Sequence, residues 1–402
     1  MNGKTLERNK TLEADLKFVA HRKKELPRPV RENADEIREV SRFIHSNPEL
    51  GSEEFKASAL LSSKLLSHGI QVTKNYLNMK TSFLGKVGTG GPKIAIFAEY
   101  DALPIGHACG HNLIAAWAYG VAIAFASSPP KRGTLYVVGS PAEESRGDYA
   151  SSKVIIAPKL KDLGIEAAIG VHPAGTWGVG GGTLARTRLS FIFTGKDAHD
   201  AGSPEQGINA LDAAVNFYIQ LKMMRTQVER DKDVIIGAVI VRGGTAPNVI
   251  PGNAEIWIDL RSNDSTYINK LEDRVKAIAD GAAMMTGCKV ESIALAPRTA
   301  SAKRAPQLEK LIYRHASEYL ARLEKPDELW RVLPTGSSDI SNVSQEVPLG
   351  QLMIKIGREG LPGHSEEWRD RAGTLEAEEA LLTSVAIGYD SILEYISSAQ
   401  KY

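Results

Sequence analysis

Apolar runs that alternate with helix-like segments dominate the sequence between residues 70 and 171. Residues 93–98 and 134–139 are almost all apolar or small, which is typical of strands covered on both faces. The apolar run at 113–126 lies between them and is shorter than the roughly 20 residues that span a bilayer. It therefore predicts a buried helix, and the alternation as a whole favours an α/β domain with a mostly parallel sheet.

The order of the predicted elements changes after residue 187. Strands and helices then follow one another as β-α-β-β-α-β, the order of a ferredoxin-like unit. These segments are 188–194, 206–224, 234–242, 254–261, 266–285 and 289–294. A helix, a strand and a long C-terminal helix follow and would return to the first sheet. We expect an α/β domain with a mixed, mostly parallel sheet (1–186 and 299–402) and an inserted ferredoxin-like α+β domain (187–298).

Charge balance and cysteine content argue against several classes of function. The 49 lysine and arginine residues against 48 aspartate and glutamate residues leave a net charge of +1, so no basic surface for nucleic acid is expected. Two cysteines cannot form the disulfide framework of a secreted protein, and no apolar targeting segment lies near the N-terminus. We expect a cytoplasmic protein without nucleic-acid or membrane partners. A basic helix up to about residue 29 has an open role.

Residues that commonly bind metals follow four of the predicted strands. Because the carboxyl ends of parallel strands meet at one edge of a sheet, we expect these side chains to lie close together. They are Cys109, His111, Glu144, His172 and His364. Thiolate, imidazole and carboxylate groups all bind Zn²⁺. Five ligands are too many for one tetrahedral ion but suit a pair of ions, which together polarise a carbonyl and activate water.

The remaining polar residues of these segments suggest further roles. Glu143, next to a predicted ligand, is free to act as general base. Asp101 is expected to accept a hydrogen bond from a ligand imidazole or to hold its loop. His107 has the same spacing from Cys109 as His111, so spacing alone leaves both histidines open as ligands.

Several motifs, in the same order along the chain, resemble those of the metallo-amidohydrolases related to aminoacylases and carboxypeptidases. The most similar branch contains the indole-acetyl-amino-acid hydrolases and the p-aminobenzoyl-glutamate hydrolases. The matching segments are 45–50, 98–104, 107–112, 141–144, 170–172, 198–199, 209–212, 243–251 and 363–365. The resemblance covers most of the chain beyond about residue 35.

The resemblance implies specific roles for residues of this sequence. It favours His111 over His107 as a ligand and gives Cys109 a position that bridges two metal ions. It also supports Glu143 as the general base and Glu144 as a ligand. Two divalent ions are implied, zinc first, with manganese or cobalt as alternatives.

The resemblance also implies an assembly. The inserted domain would mediate formation of a homodimer, and His199 would reach the active site of the partner subunit and stabilise the oxyanion there. Asn248 would lie near the carboxylate of the substrate.

These features together predict an enzyme that hydrolyses a linear amide bond. The expected substrates are small N-acyl amino acids, dipeptides or aminobenzoyl-glutamate-type compounds. A non-catalytic or regulatory small-molecule-binding protein on the same fold is the alternative. The presence of the general base, the ligands and His199 favours the enzyme.

Overall fold

The computed structural model describes residues 22–144, 147–148, 150–331 and 336–399. Most of the predicted N-terminal basic helix lies outside these residues, and residues 22–27 form no helix. The described chain divides into two compact units. The first contains the residues up to 181 together with 303–331 and 342–399, and the second contains 182–302 and 336–341.

The strands of both units are numbered in chain order. They are β1 (Gln71–Lys74), β2 (Phe83–Thr89), β3 (Lys93–Ala98), β4 (Gly133–Gly139), β5 (Ala167–Ala174), β6 (Gly178–Val179), β7 (Ala185–Thr194), β8 (Ala198–His199), β9 (Ile235–Arg242), β10 (Val249–Ile250), β11 (Asn253–Ser262), β12 (Lys289–Ala294) and β13 (Leu349–Lys355).

The α-helices are numbered in the same way. They are α1 (Arg28–Glu32), α2 (Ala34–Ser46), α3 (Phe55–Ser67), α4 (His111–Ser127), α5 (Lys153–Ile156), α6 (Ala210–Met224), α7 (Tyr267–Thr286), α8 (Pro306–Tyr319), α9 (Pro326–Arg331), α10 (Ile340–Glu346), α11 (Glu366–Ala372) and α12 (Leu375–Ala399).

A seven-stranded mixed sheet forms the centre of the first unit, in the order β1-β2-β4-β3-β5-β13-β6. The four central strands, β4, β3, β5 and β13, run parallel, whereas β1, β2 and β6 pair antiparallel at the edges. Every residue of β4 is buried, as expected for a strand covered on both faces. The predicted mixed, mostly parallel α/β sheet is confirmed.

The helix α4 lies inside the first unit and is apolar on all sides. Its residues from His111 to Phe125 are all buried, and it packs between α2, α12 and the sheet. A helix without a polar face is stable only when other elements surround it. Close packing is visible at Gly388 of α12, where an added Cβ would lie 2.9 Å from Cζ2 of the Trp117 indole.

The second unit has the predicted ferredoxin-like order. Its four-stranded antiparallel sheet is ordered β12-β7-β11-β9, and α6 and α7 share a core with it. Two extra short strands, β8 and β10, pair with each other. The two ends of the unit lie side by side, because the backbone N–H of Ala302 donates to the carbonyl of Thr183 at 3.0 Å.

Two predicted helices differ from the observed ones. The helix expected at 151–163 is only α5, followed by a 3₁₀ turn at Ala157–Lys159; Pro158 lacks the N–H that a longer α-helix needs at this position. The helix expected from residue 206 begins at Ala210, because the Asn209 side chain accepts hydrogen bonds from the N–H groups of Leu211 and Asp212 and caps the helix there.

Across the four described stretches of chain, no helix combines the length and the apolar character that crossing a membrane requires.

We expect two helix glycines to respond in opposite ways to substitution by alanine. Gly388→Ala should lower the melting temperature, because its methyl group meets the indole of Trp117, which is held by a hydrogen bond from Nε1 to the carbonyl of Ser384; overpacking costs about 1–3 kcal/mol. Gly281→Ala in α7 has nothing within 4 Å of the new methyl group and should gain up to about 1 kcal/mol of helix propensity. Thermal unfolding of both variants beside the wild type measures the difference, and equal shifts would contradict the packing assigned to Gly388.

Candidate metal centre

The carboxyl ends of the parallel strands bring the predicted ligands of the first unit to one edge of the sheet. Asp101 follows β3, the pair Glu143–Glu144 follows β4, His172 lies in β5 and His364 follows β13. His111 is the first residue of α4, whose N-cap, Gly110, has a φ of +82°. A Cβ at Gly110 would lie 2.8 Å from the ring of Pro173, so this turn requires glycine for both space and conformation.

Asp101 holds two of the predicted ligands in place. Its Oδ1 and its carbonyl oxygen each lie 2.9 Å from Nδ1 of His111, and its Oδ2 accepts a hydrogen bond of 3.0 Å from the backbone N–H of Glu144. Both Asp101 and His111 are buried. The carboxylate therefore fixes the His111 ring with a proton on Nδ1 and turns Nε2 towards the other acidic groups of the site.

Nε2 of His111 is buried without a hydrogen-bond partner. It faces carboxylate oxygens instead: Oε2 of Glu99 at 3.6 Å and Oε2 of Glu143 at 3.9 Å. A buried ring nitrogen that faces acidic groups without a hydrogen bond is costly unless a proton or a metal ion lies between them. This arrangement fits a metal ion bound at His111.

The ligand atoms form two groups that share Glu144. In one group the atoms belong to Cys109, Glu144 and His364, in the other to His111, Glu143 and Glu144, and within each group they all lie within 4.8 Å of one another. Because Glu144 belongs to both groups, its carboxylate is placed to contact two neighbouring cations.

His172 joins the same cluster through Cys109. Its Nε2 lies 3.6 Å from the Cys109 sulfur, while its Nδ1 lies 2.8 Å from the carbonyl oxygen of Pro173. Because Nδ1 is placed to donate to this carbonyl, Nε2 is the ring nitrogen that faces the sulfur. On the other side of the cluster, Nε2 of His364 lies 3.2 Å from Oε1 of Glu144.

The pKa shifts of the cluster reflect closely packed opposite charges. Burial raises the pKa of the Cys109 thiol, but the charges of His111 and His172 outweigh it and lower the pKa to about 6. Burial lowers the pKa of His172, and the charge of Cys109 reverses this and raises it to about 9. Hydrogen bonds to Cys109 and Glu144 raise the pKa of His364 to about 10. The Cys109 thiolate and the Glu144 carboxylate thus favour positive charge beside them, which either protons or metal ions supply.

The donor set suits divalent transition metals. One thiolate, three imidazoles and a shared carboxylate combine soft and borderline ligands of the kind that zinc and its neighbours bind. The residues present therefore fit two divalent ions.

His107 has a different environment from His111. Its ring is buried and stacks on His45 at a centroid distance of 6.3 Å, and neither of the two groups of ligand atoms includes it. Burial, together with the charges of His111 and His45, lowers the pKa of His107 to about 3. The two histidines, which have equal spacing from Cys109, therefore differ in the structure: of the two, His111 is the one whose ring nitrogen faces Glu99 and Glu143.

The sequence prediction overlooked a buried ion pair at the site. Nζ of Lys153 lies 3.0 Å from Oε1 of Glu99, and both side chains are buried. The other oxygen of Glu99 is the one that faces His111. The position of Glu99, directly after an apolar strand and two residues before Asp101, was a signal that it lies at the site. No such signal exists for Lys153, because lysine is almost never fully buried in proteins.

The turn that carries Glu143 and Glu144 has an unusual backbone. Ala142 has a φ of +56°, a conformation that costs an L-residue about 1–2 kcal/mol. Its N–H donates to Oε1 of the fully buried Glu54 at 2.8 Å. Burial and the negative charge of Asp101 raise the pKa of Glu54 to about 7. The sequence prediction assigned Glu54 no role.

The remaining two predicted site residues lie together in the second unit. His199 in β8 pairs with Val249 in β10, and the carbonyl of the preceding Asn248 accepts a hydrogen bond from the N–H of Asp200 at 3.1 Å. The exposed His199 ring accepts at Nδ1 from the N–H groups of Ala201 and Gly202. The neutral ring therefore carries its proton on Nε2, which is free to donate outward.

Known proteins resemble the chain over most of its length. Residues 182–284 match the family described as the peptidase dimerisation domain. The Xaa-Arg dipeptidase of Mus musculus is 30% identical over 386 residues, which cover 91% of this chain and 86% of that protein. One of the polypeptides of the p-aminobenzoyl-glutamate hydrolase of Escherichia coli is 32% identical over 275 residues. That match covers 63% of this chain and 56% of the relative, so the chain spans little more than half of the length of that relative.

A solved structure shows the same fold. A dinuclear metal-binding peptidase of the M20 family from Bacillus subtilis superposes with a TM-score of 0.69 at 23% sequence identity, over 91% of this chain and 99% of that one. Sequence and fold agree with the resemblance that the motifs indicate. The chain belongs to the M20 family of metal-dependent peptidases and amidohydrolases.

Proposed function

We propose that this protein hydrolyses the amide bond of a small N-acyl amino acid, a dipeptide or an aminobenzoyl-glutamate-type substrate, using two divalent metal ions. The observation that carries the proposal is the pair of ligand groups that share Glu144, beside the unpaired Nε2 of His111. The names of the two relatives, a dipeptidase and an aminobenzoyl-glutamate hydrolase, support amide bonds next to an amino acid as the substrate class. Zinc is the first candidate because the ligands combine sulfur, nitrogen and oxygen.

The proposed metal ligands are the five residues at the strand ends: Cys109, His111, Glu144, His172 and His364. When bound, the ions polarise the amide carbonyl and lower the pKa of a water molecule. Asp101 orients His111 through Nδ1 and holds the backbone of Glu144, as its hydrogen bonds indicate.

Glu143 is the proposed general base. Its carboxylate lies 3.9 Å from Nε2 of His111. Glu143 belongs to only one of the two groups of ligand atoms, whereas Glu144 belongs to both. In the reaction, Glu143 takes a proton from the attacking water and later transfers it to the leaving amine. A largely enclosed carboxylate beside bound cations is suited to hold and release a proton in this way.

His199 and Asn248 are the proposed substrate-binding residues of the second unit. Because Nδ1 of His199 is occupied as an acceptor, Nε2–H is the donor available to the oxyanion. We propose that His199 acts on the active site of the partner in a homodimer and that Asn248 binds the substrate carboxylate. The match of residues 182–284 to a dimerisation domain supports the dimer.

A reducing compartment, the cytoplasm, is part of the same proposal. Cys109 serves as a ligand only as a thiolate, and a thiol with a lowered pKa is readily oxidised. Both Cys109 and Cys288 are free thiols.

Removal of metal should abolish hydrolysis. We expect chelated protein to lose activity on the order of 100-fold or more on N-acyl amino acids, dipeptides and p-aminobenzoyl-glutamate, because the ions supply the carbonyl polarisation. Adding back zinc, manganese or cobalt in turn should restore it to different extents. Activity that survives complete metal removal would contradict the metal-dependent mechanism, and metal binding without hydrolysis of any substrate would favour the non-catalytic binding protein.

Glu143 and Glu144 should have separable roles. Glu143→Gln should lower kcat by about 10²–10⁴-fold, the range for loss of general acid–base catalysis, while the metal content measured by elemental analysis stays at the wild-type value. Glu144→Gln removes a ligand charge and should lower the metal content itself. Metal loss in the first variant together with full metal content in the second would reverse the two assignments.

Mixed dimers should recover activity if His199 acts across the interface. Glu143→Ala and His199→Ala proteins are each expected to be almost inactive. After subunit exchange about half of the dimers are mixed, and each mixed dimer has one intact site, so about a quarter of wild-type activity is expected from the symmetry. Mixed dimers verified by native mass spectrometry that are no more active than the parents would contradict action in trans.

A further inference from the structure

Glu54 is not one of the proposed ligands, but it is fully buried beside the turn that carries Glu143 and Glu144. It precedes α3 and reaches the turn after β4, 88 positions further along the chain. Its carboxylate accepts hydrogen bonds from the N–H of Ala142 at 2.8 Å, the N–H of Ser52 at 2.9 Å and the hydroxyl of Thr81 at 2.7 Å. A buried carboxylate is costly, so this network is expected to do more than fill space.

The hydrogen bond to Ala142 is made at a residue with a disfavoured conformation. The φ of +56° at Ala142 is rare for a residue with a side chain, and the next two residues are the proposed base and the shared ligand. The carbonyl of Ala142 is held as well, because it accepts from the N–H of Ser151 at 2.7 Å. The backbone N–H of Glu144 reaches Asp101 from this turn.

We propose that Glu54 is a positioning residue, whose carboxylate holds the Ala142 peptide in the left-handed conformation that directs Glu143 and Glu144 into the metal centre. This inference rests on the proposed function for the roles of the two glutamates. It assigns Glu54 no contact with substrate or metal; its influence on the two glutamates passes through its hydrogen bond to the backbone of Ala142.

The backbone at Ala142 provides a specific test. Glycine adopts positive φ about as readily as negative φ, so Ala142→Gly should reduce the need for the Glu54 hydrogen bond. Glu54→Gln keeps an amide oxygen that accepts from Ala142 and Ser52, while its NH₂ group can donate to the Thr81 hydroxyl. Thr81→Val removes the third hydrogen bond of the carboxylate but leaves the one to Ala142.

The variants should separate positioning from simple stabilisation. We expect Glu54→Ala to lower kcat and the affinity for zinc, measured by competition with a chromogenic chelator, by about 10–100-fold each, the effect typical of residues that support metal ligands. KM should change much less. Glu54→Gln should remain within about threefold of the wild type, and Thr81→Val should lower the melting temperature while kcat and zinc affinity stay near the wild-type values.

The double variant Glu54→Ala/Ala142→Gly should recover a substantial part of both losses, on the order of tenfold, because the turn no longer opposes its own conformation. A cavity left by Glu54 would not be repaired by a change at Ala142. If Glu54→Ala does not fold, Glu54→Met replaces it in the series, since methionine fills the volume and accepts no such hydrogen bond.

Two results would overturn the proposal: wild-type kcat and zinc affinity in folded Glu54→Ala or Glu54→Met, or no recovery in the folded double variant. The zinc measurement does not depend on the substrate. If the wild-type protein hydrolysed none of the substrates tested, the proposed function would fail, whereas the zinc affinities would still decide whether Glu54 positions the turn.

Discussion

The hydrogen bonds of Asp101 join the loop after β3 to the start of α4 and to the turn after β4. Its side chain orients His111 at the start of α4 and holds the N–H of Glu144 after β4, while the N–H of the following Ala102 donates to the carbonyl of Glu49. The bond to His111 is buried and the bond to Glu144 is partly buried, so a shift of either segment would leave a charged or polar group without its partner. Two of the five proposed ligands, His111 and Glu144, are therefore positioned by this one carboxylate.

Several acidic side chains of the first unit lie around Asp101. Glu54, Glu99 and Glu144 all lie at this edge of the sheet, where Lys153 is paired with Glu99 and His364 lies beside Glu144. Carboxylates packed this closely are destabilising unless positive charge lies next to them. The raised pKa values of His172 and His364 are one consequence of these neighbouring anionic groups. Positive charge beside the cluster, from protons or from metal ions, offsets the repulsion.

The local parts of this arrangement are predictable from the sequence. The bounds of β3 follow directly from its apolar run, and the ligands follow strands because the sheet is parallel. The prediction of one helix over 151–163 is wrong, because the apolar pattern of this segment favours a helix whereas Pro158 ends it. The positive φ of Ala142, the burial of Lys153 and the reach of Glu54 arise only when distant segments pack together. Residue patterns contain no signal for such contacts, and lysine in particular indicates surface.

The side-by-side ends of the second unit have an evolutionary consequence. The backbone of Ala302 bonds to that of Thr183 within the inserted unit itself, so the chain of the first unit has to bridge only a short gap. Contacts within the insert therefore offset the entropic cost of closing this long loop. The length of the chain between these two ends can therefore change without moving the positions at which the chain leaves and re-enters the first unit, whose strand order and metal ligands lie outside the insert.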